Sequence, residues 1–265
     1  MHIPAYILGQ LRQARHLVVF TGAGVSAESG IPTFRDRQTG LWANFDAEAL
    51  ATAGAFERDP ALVWGWYEWR RIKVRLAEPN LAHRAIAAMA SRVPQLTLVT
   101  QNVDDLHERA GSPRVLHLHG RIGHPYCAAC GCEHPVPQAP PATVRNESEG
   151  GQRLEPPRCL RCGGRVRPGV VWFGESLPRL RWQEAVEAAH ACDAFFCVGT
   201  SSVVEPAAGL TRAAIGAGSV TIQVNIERTP LDEHVTLNLR GPAAERLPWL
   251  LTQIWPDAST GFAAS

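Results

Sequence analysis

The chain has 265 residues and a formal net charge of +1, from 26 Lys+Arg against 25 Asp+Glu, which argues against a nucleic-acid partner held by a basic surface. Hydrophobic residues make up 45% and charged residues 19%, the balance of a folded chain with ample core and not of a disordered one. No run approaches the ~18 apolar residues that span a bilayer, and residues 1–17 lack a basic segment followed by a long apolar one, so a cytoplasmic protein with no membrane partner is expected.

Short apolar runs at 17–21, 96–100, 115–119, 194–199, 220–225 and 234–239 read as buried parallel strands. Helix-like stretches at 82–90, 182–190 and 206–215 lie between them. Strands alternating with helices predict an α/β fold, a Rossmann-like doubly wound parallel sheet that binds ligands beyond the carboxyl ends of its strands. Two segments break the alternation. Residues 38–79 carry a tryptophan-rich helix, and 121–168 carry paired cysteines with many prolines and glycines. The expected division is a large unit of 1–37, 80–120 and 169–265, and a smaller one of 38–79 and 121–168. Within the latter, 133–157 reads as a loop, and the residues after Pro256 as a frayed tail.

The first strand runs into Gly22-Ala23-Gly24-Val25-Ser26, a turn in which glycines let backbone N–H groups approach a phosphate. Ala27 stands where the usual dinucleotide fingerprint has its third glycine, so a plain tight turn is the alternative. Other strand ends are polar too. They are Gln101-Asn102-Val103-Asp104, Gly199-Thr200-Ser201 and Asn225-Ile226-Glu227, with Glu227 placed to hold ribose hydroxyls. Four such clusters point to one crevice.

Seven cysteines in a chain without an export signal argue against a disulfide framework. Cys127/Cys130 and Cys159/Cys162 form two CxxC knuckles, which suit one structural Zn²⁺ with all four positions filled. Cys132, His124 and His134 are substitute ligands, and a redox CxxC is the rival. Cys197, within an apolar run, reads as a buried inert thiol.

These motifs, with Gly30-Ile31-Pro32-Thr33-Phe34-Arg35, Leu118-His119-Gly120 and Val171-Trp172-Phe173-Gly174-Glu175, appear in the order found in the sirtuins. The sequence strongly resembles that family of NAD-dependent protein lysine deacylases over about 15–245. The resemblance implies a small domain with a helical and a zinc module. It implies that NAD is consumed: nicotinamide leaves, the acyl oxygen of a modified lysine attacks C1′ of the ribose, and O-acyl-ADP-ribose and free lysine result. It assigns cofactor contacts to Gly22, Ala23, Gly24, Glu28, Thr33, Phe34, Arg35, Trp42, Gln101, Asn102, Asp104, Gly199, Thr200, Ser201, Asn225, Ile226, Glu227 and Ala243. Asn102 and Asp104 form the nicotinamide pocket, and Phe34 shields the ribose. Val171, Phe173 and Gly174 hold the acylated protein or peptide by strand addition, with 203–205 as the second edge. His119 matches the general base, and an imidazole with an ordinary pKa near 6.5 suits that task. Gly120 beside it is expected to leave room for substrate, and His117, two residues back, is the reserve base.

The helix near 59–71 starts with an Asp59 cap and Pro60. Val63, Tyr67, Arg70 and Val74 share one face at a 3.6-residue period. Arg71 and Glu68 can pair on another face, leaving Arg70 to bind an anion or an internal carboxylate. The Tyr67-x-x-Arg70 pair also matches the sirtuin class that prefers succinyl and malonyl groups, so desuccinylase/demalonylase with weaker deacetylase activity is expected. The alternatives are a plain deacetylase, an NAD or ADP-ribose sensor without catalysis, and an NAD-dependent dehydrogenase on the same fold.

Overall fold

The computed structural model describes residues 2–33, 46–135 and 152–257. In chain order the elements begin with α1 (Ala5–Gln13), β1 (His16–Thr21) and the single turn α2 (Gly24–Ala27). Four helices follow: α3 (Ala47–Leu50), α4 (Ala53–Arg58), α5 (Pro60–Leu76) and α6 (Leu81–Met89). Next are β2 (Gln95–Thr100), α7 (Leu106–Arg109), β3 (Val115–His117), β4 (Tyr126–Cys127) and β5 (Val166–Arg167). The chain continues with α8 (Arg179–Ala191), β6 (Ala194–Val198), α9 (Gly209–Gly216), β7 (Val220–Asn225), β8 (Leu237–Arg240) and α10 (Ala243–Ile254).

Six strands form one sheet in the order β3-β2-β1-β6-β7-β8, all parallel. This is the doubly wound order, with its switch point between β1 and β6. Period-two alternation feeds a core on each face. Leu17, Val19, Leu98, Phe196, Ile222 and Val224 pack under α1, α6 and α10, while Val18, Phe20, Val99, Phe195 and Cys197 pack under α8 and α9. Cys197 is thus a core thiol. The register is level at the carboxyl edge: Thr21 lies opposite both Thr100 and Val198, and Val198 opposite Val224. Gly22, Gln101, Gly199 and Asn225 therefore leave the sheet side by side.

A third cluster gathers Ile31, Phe56, Leu62, Val63, Trp66, Tyr67, Leu106, Ile122, Val170 and Trp172 around α5. Asp59 accepts the N–H of Leu62 at the start of α5, as the sequence suggests. That helix is buried on most of its circumference because Gly65 lets the 152–154 segment lie against it; a Cβ at Gly65 would sit 1.9 Å from the Gln152 carbonyl oxygen. A separate two-stranded ladder, β4 with β5, carries Cys127.

Some boundaries differ from the periodicity. The last strand begins at Leu237 and not at 234, because the chain turns at His234 onto the Leu231 carbonyl. The 206–215 helix begins at Gly209, since Pro206 belongs to the preceding turn. β3 stops at His117, and Leu118 makes one further bond to the Thr100 carbonyl before the chain turns at Gly120.

Candidate active site and cysteine centre

The glycines at the switch point answer first to packing between two turns. A Cβ at Gly22 would meet Gly199 O and Thr200 Cα at 2.9 Å, and one at Gly24 would meet Gly199 at 2.8 Å. Gly199 has φ +60, and its own Cβ would lie 2.5 Å from the Val25 nitrogen. The turns are cross-linked, with Gly22 N donating to Val198 O and Gly24 N to Gly199 O. The absence of side chains lets these turns meet in one rim, a place for a pyrophosphate, although the N–H groups of Gly22, Gly24 and Gly199 are themselves spent on Val198, Gly199 and Val224 carbonyls. Gln101 Nε2 donates to Thr200 Oγ1 at 2.9 Å, and Asn225 Nδ2 to the Thr200 carbonyl at 2.8 Å. Three strand ends are thereby tied around Thr200. Ser201 is half-buried beside it, while Ile226 and Glu227 lie at the exposed rim, where Glu227 N donates to Asn225 Oδ1. Glu28 and Ala243 also come together, since the Glu28 carboxylate accepts the Ala244 N–H at the start of α10. Ala23 and Thr33 are half-buried in the loop after β1. Phe34, Arg35 and Trp42 lie outside the described residues.

Beneath the crevice lies a buried polar cluster. Ser26 Oγ donates to Asp104 Oδ2 at 3.0 Å and accepts the Asn102 amide at 3.0 Å. His83 Nε2 lies 3.3 Å from the same oxygen, and its Nδ1 faces the Asn80 N–H at 3.3 Å. Nδ1 also lies 3.0 Å from Asn80 Oδ1, so His83 ties Ser26 to the Asn80 cap of α6. Asp104 also accepts the Leu106 N–H at 3.1 Å. Burial raises the Asp104 pKa, and the N–H of Leu106 and the hydroxyl of Ser26 pull it back. Asn102 and Asp104 are thus fixed side by side.

His119 stands two residues beyond β3 and is half-buried. Its Nδ1 faces the Gln101 carbonyl at 3.1 Å. A carbonyl only accepts, so Nδ1 carries the proton and Nε2 presents a lone pair. Burial lowers the His119 pKa, with the Gln101 carbonyl opposing the shift, so the imidazole is neutral at pH 7. The His119 carbonyl accepts the Val171 N–H at 2.8 Å.

Two expectations around His119 are corrected. Gly120 does not leave room for substrate: it has φ +78, and a Cβ would sit 2.3 Å from the Gly169 carbonyl, so the 169–171 segment fills that space. His117 is no reserve base. It is buried, with Nδ1 3.0 Å from the Asn102 carbonyl and Nε2 2.8 Å from Glu108, so both nitrogens are engaged in holding the loop that carries Asn102.

The 171–175 segment runs past α3 and α4. Phe173 N donates to Ala51 O, Phe173 is exposed, and Gly174 has φ +87. Val203, in the loop after β6, is exposed as well. Glu175 is committed internally, accepting both terminal nitrogens of Arg167 at 2.6 and 2.8 Å and the Trp172 N–H at 2.8 Å. Tyr67 and Arg70 are both buried, one turn apart on α5. Arg71 pairs with Glu68 at 2.7 Å, as read from the sequence. Arg70 Nη2 approaches the Pro32 carbonyl at 3.5 Å, and its guanidinium lies 5.2 Å from the Trp66 ring centre. Burial lowers the Arg70 pKa, and Tyr67 and Asp104 oppose the shift. The cation therefore lies beside the loop and the carboxylate of the nucleotide crevice.

Cys127, Cys130, Cys159 and Cys162 bring their sulfurs within 4.8 Å of one another. Cys127 and Cys162 are 3.5 Å apart, and Cys130 and Cys159 3.7 Å. A tetrahedral Zn²⁺ with bonds near 2.3 Å needs sulfurs about 3.8 Å apart, so the donor set fits the ion. A Cβ on Gly164 would stand 3.0 Å from Cys127 Sγ and 3.3 Å from Cys162 Sγ, so that position is kept bare for the sulfurs. Cys132 is not in this group: its sulfur accepts from Arg161 at 3.2 Å, and neither His124 nor His134 joins the four thiols. With every position filled by sulfur, such a centre is structural. Cys159→Ser is expected to lower bound zinc from one per chain and to unfold the 152–167 region first, because metal binding and local folding are coupled. Elemental analysis with limited proteolysis checks this, and full activity without zinc would refute it.

Ser26, His83, Glu108 and His107, whose Nε2 lies 2.9 Å from the Thr21 hydroxyl at the end of β1, belong to the site's support, and sequence reasoning passed over their roles. The available signal was polar residues at positions whose helical period is otherwise apolar, as with His83 between Ala82 and Ile86.

The sequence model of the Sir2 family matches residues 22–206. The chain belongs to the Sir2 family. An NAD-dependent protein deacylase of Methylococcus capsulatus is 57% identical over 245 residues, covering 92% of this chain and 94% of that protein. NAD-dependent protein deacylase 1 of Pseudomonas aeruginosa is 56% identical over 246 residues, 93% and 97% of the two chains. Among solved structures, a Sir2 homologue in complex with NAD superposes with a TM-score of 0.85 at 40% identity, covering 97% of this chain and 96% of that one. A Sir2 complex with a p53 peptide and NAD⁺ gives 0.80 at 29% identity, covering 95% and 98%. The matched residues take in the 22–24 and 199–201 turns, the Ser26/Asn102/Asp104 contacts and His119, while Asn225 to Glu227 and Ala243 lie beyond them; among the described residues no helix is long and apolar enough to cross a membrane.

Proposed function

We propose that this Sir2 protein is an NAD-dependent protein lysine deacylase that prefers acidic acyl groups, succinyl and malonyl, over acetyl. The observation that carries the preference is the buried Tyr67/Arg70 pair on α5, next to the Pro32 loop. A buried guanidinium is stable where it meets an anion, and a distal acyl carboxylate is one. An acetyl group has none. The deacylase relatives support the general activity, and their names leave the acyl group open.

NAD, consumed as co-substrate, supplies the ADP-ribosyl acceptor and a nicotinamide leaving group. The rim formed by the 22–24 and 199–201 turns takes its phosphates, with Thr200, Ser201, Asn225 and Glu227 lining the ribose side. Asn102 and Asp104, fixed through Ser26, receive the carboxamide. His119 removes a ribose hydroxyl proton at Nε2, its ring aligned by the Gln101 carbonyl. The main chain of Val171, Phe173 and Gly174 pairs with the substrate peptide, and Tyr67 and Arg70 read the far end of the acyl chain. The zinc module holds β4 and β5 together. The division into a large unit of 1–37, 80–120 and 169–265 and a small one of 38–79 and 121–168 belongs to the same proposal.

The acid limb of kcat/KM follows from His119. Its pKa is lowered from 6.5, so it loses base function only below that value. Activity on a succinyl peptide is expected to stay flat from pH 8 to 7 and fall with a midpoint below 6.5. A midpoint above 7 would assign the limb to another group.

Stability has its own acid dependence. Burial lowers His83 to about 4 and holds His107 well below 6.5, with His83 and His117 adding to the effect on His107. Both fold neutral, so their contribution is complete above 6.5 and is lost as pH falls below it, by up to about 1.4 kcal/mol per pH unit for each. Urea midpoints from pH 6.5 to 5 should fall accordingly, and His107→Gln should flatten that slope whatever its starting stability. An unchanged slope in the variant would contradict the assignment.

A further inference from the structure

We infer that Trp172 sets the direction of the Tyr67 hydroxyl and is a positioning residue for recognition of the distal acyl carboxylate. This rests on the reading of Tyr67 and Arg70 given above.

The indole Nε1 of Trp172 lies 3.1 Å from the Tyr67 hydroxyl oxygen. An indole nitrogen only donates, so in this bond the phenol accepts. The single O–H of Tyr67 is thereby left to donate elsewhere. Burial, ahead of every other influence, drives the Tyr67 pKa upward, so the group remains a neutral phenol with that proton in place. Without the indole, the hydroxyl could turn and donate into whatever acceptor lay nearest. With it, the group is preset as a donor, which is what a carboxylate requires, and less rotational freedom is lost on binding.

The indole is itself held tightly. The Arg167 guanidinium stacks 3.6 Å from the Trp172 ring centre and lies 5.2 Å from the Tyr126 ring. Glu175 grips Arg167 with both oxygens and takes the Trp172 N–H as well. The Phe56 ring lies 5.3 Å away. Tyr126 and Arg167 belong to β4 and β5, the ladder that carries Cys127, so the cysteine module buttresses the ring that orients Tyr67. Trp172 is only 3% exposed, too buried to be a peptide-contacting residue like its exposed neighbour Phe173.

The test is kcat/KM for succinyl and acetyl versions of one peptide, with wild type, Trp172→Phe, Tyr67→Phe and the double variant. One neutral hydrogen bond is worth about 0.5–1.5 kcal/mol, so Trp172→Phe is expected to lower the succinyl/acetyl ratio roughly 2- to 12-fold, mainly through succinyl KM. In the Tyr67→Phe background the same change should leave the ratio where Tyr67→Phe puts it, because the two act through one hydroxyl. Equal losses on both peptides, or the same fall in ratio with and without the Tyr67 hydroxyl, would overturn the inference. If Tyr67→Phe lowers the ratio and Trp172→Phe does not, the inference fails alone. If neither Tyr67→Phe nor Arg70→Met moves the ratio, the carboxylate reading fails and takes this one with it. Should Trp172→Phe not fold, Trp172→3-benzothienylalanine removes the N–H at nearly constant shape and carries the same expected ratio and the same contradicting result.

Discussion

His119→Ala is expected to remove NAD-dependent deacylation while leaving the fold and NAD binding largely intact. General-base catalysis contributes about 10²–10⁴-fold, so residual turnover should be at most about one per cent of wild type. The expectation rests on a tautomer fixed by geometry: the Gln101 carbonyl holds the proton on Nδ1 and leaves Nε2 to accept one. The fold should survive because His119 lies beyond β3, makes one side-chain bond among the described residues and belongs to none of the three hydrophobic clusters. Turnover is followed by mass spectrometry of the peptide and NAD binding by calorimetry. A variant that retains a tenth or more of wild-type turnover would move the base elsewhere, and His117, with both nitrogens engaged, is not a ready replacement.

Arg70→Met is the second large effect. A charge-assisted hydrogen bond is worth roughly 1.5–3 kcal/mol, and about 1.4 kcal/mol is a factor of ten, so succinyl-peptide efficiency should fall by one to two powers of ten. Deacetylation should be unchanged or improved, because methionine fills the space of the stem without the cost of a buried cation. Tyr67→Phe should act in the same direction more weakly, since it removes one neutral hydroxyl. A parallel loss on both peptides would mean that Arg70 maintains the Pro32 loop or the α5 cluster and does not read the acyl group, and the activity would then be plain deacetylation.

Much of the site was legible in the sequence because its parts sit where strands end. Short continuous apolar runs located β1, β2, β6 and β7 to within a residue or so, and the level register made Gly22, Gln101, Gly199 and Asn225 neighbours. The CxxC spacing located four sulfurs that the fold brings together. What pattern reading missed lies in long-range contacts. Gly120 looked like a gap for substrate, and only the Gly169 carbonyl, far along the chain, explains its missing side chain. His117, two residues before His119, was the reserve base, but β3 ends at His117 and the turn sends the two rings to different partners. α1 and α10 were passed over although each adjoins a strand, and α10 carries Pro248 in its interior; they close one face of the sheet from the two ends of the chain. Ser26 and His83 were passed over because a buried hydroxyl and imidazole acquire meaning only when Asn102, Asp104 and Asn80 converge on them.

The most direct test offers the protein NAD with acetyl, malonyl and succinyl forms of one lysine peptide and resolves the products by mass spectrometry. The account predicts free-lysine peptide, nicotinamide and O-acyl-ADP-ribose in equal amounts, no NADH, and higher kcat/KM for the succinyl and malonyl peptides than for acetyl. Acetyl turnover equal to or above the acidic substrates would contradict the acyl assignment, and NADH formation or no turnover of any peptide would contradict the deacylase itself.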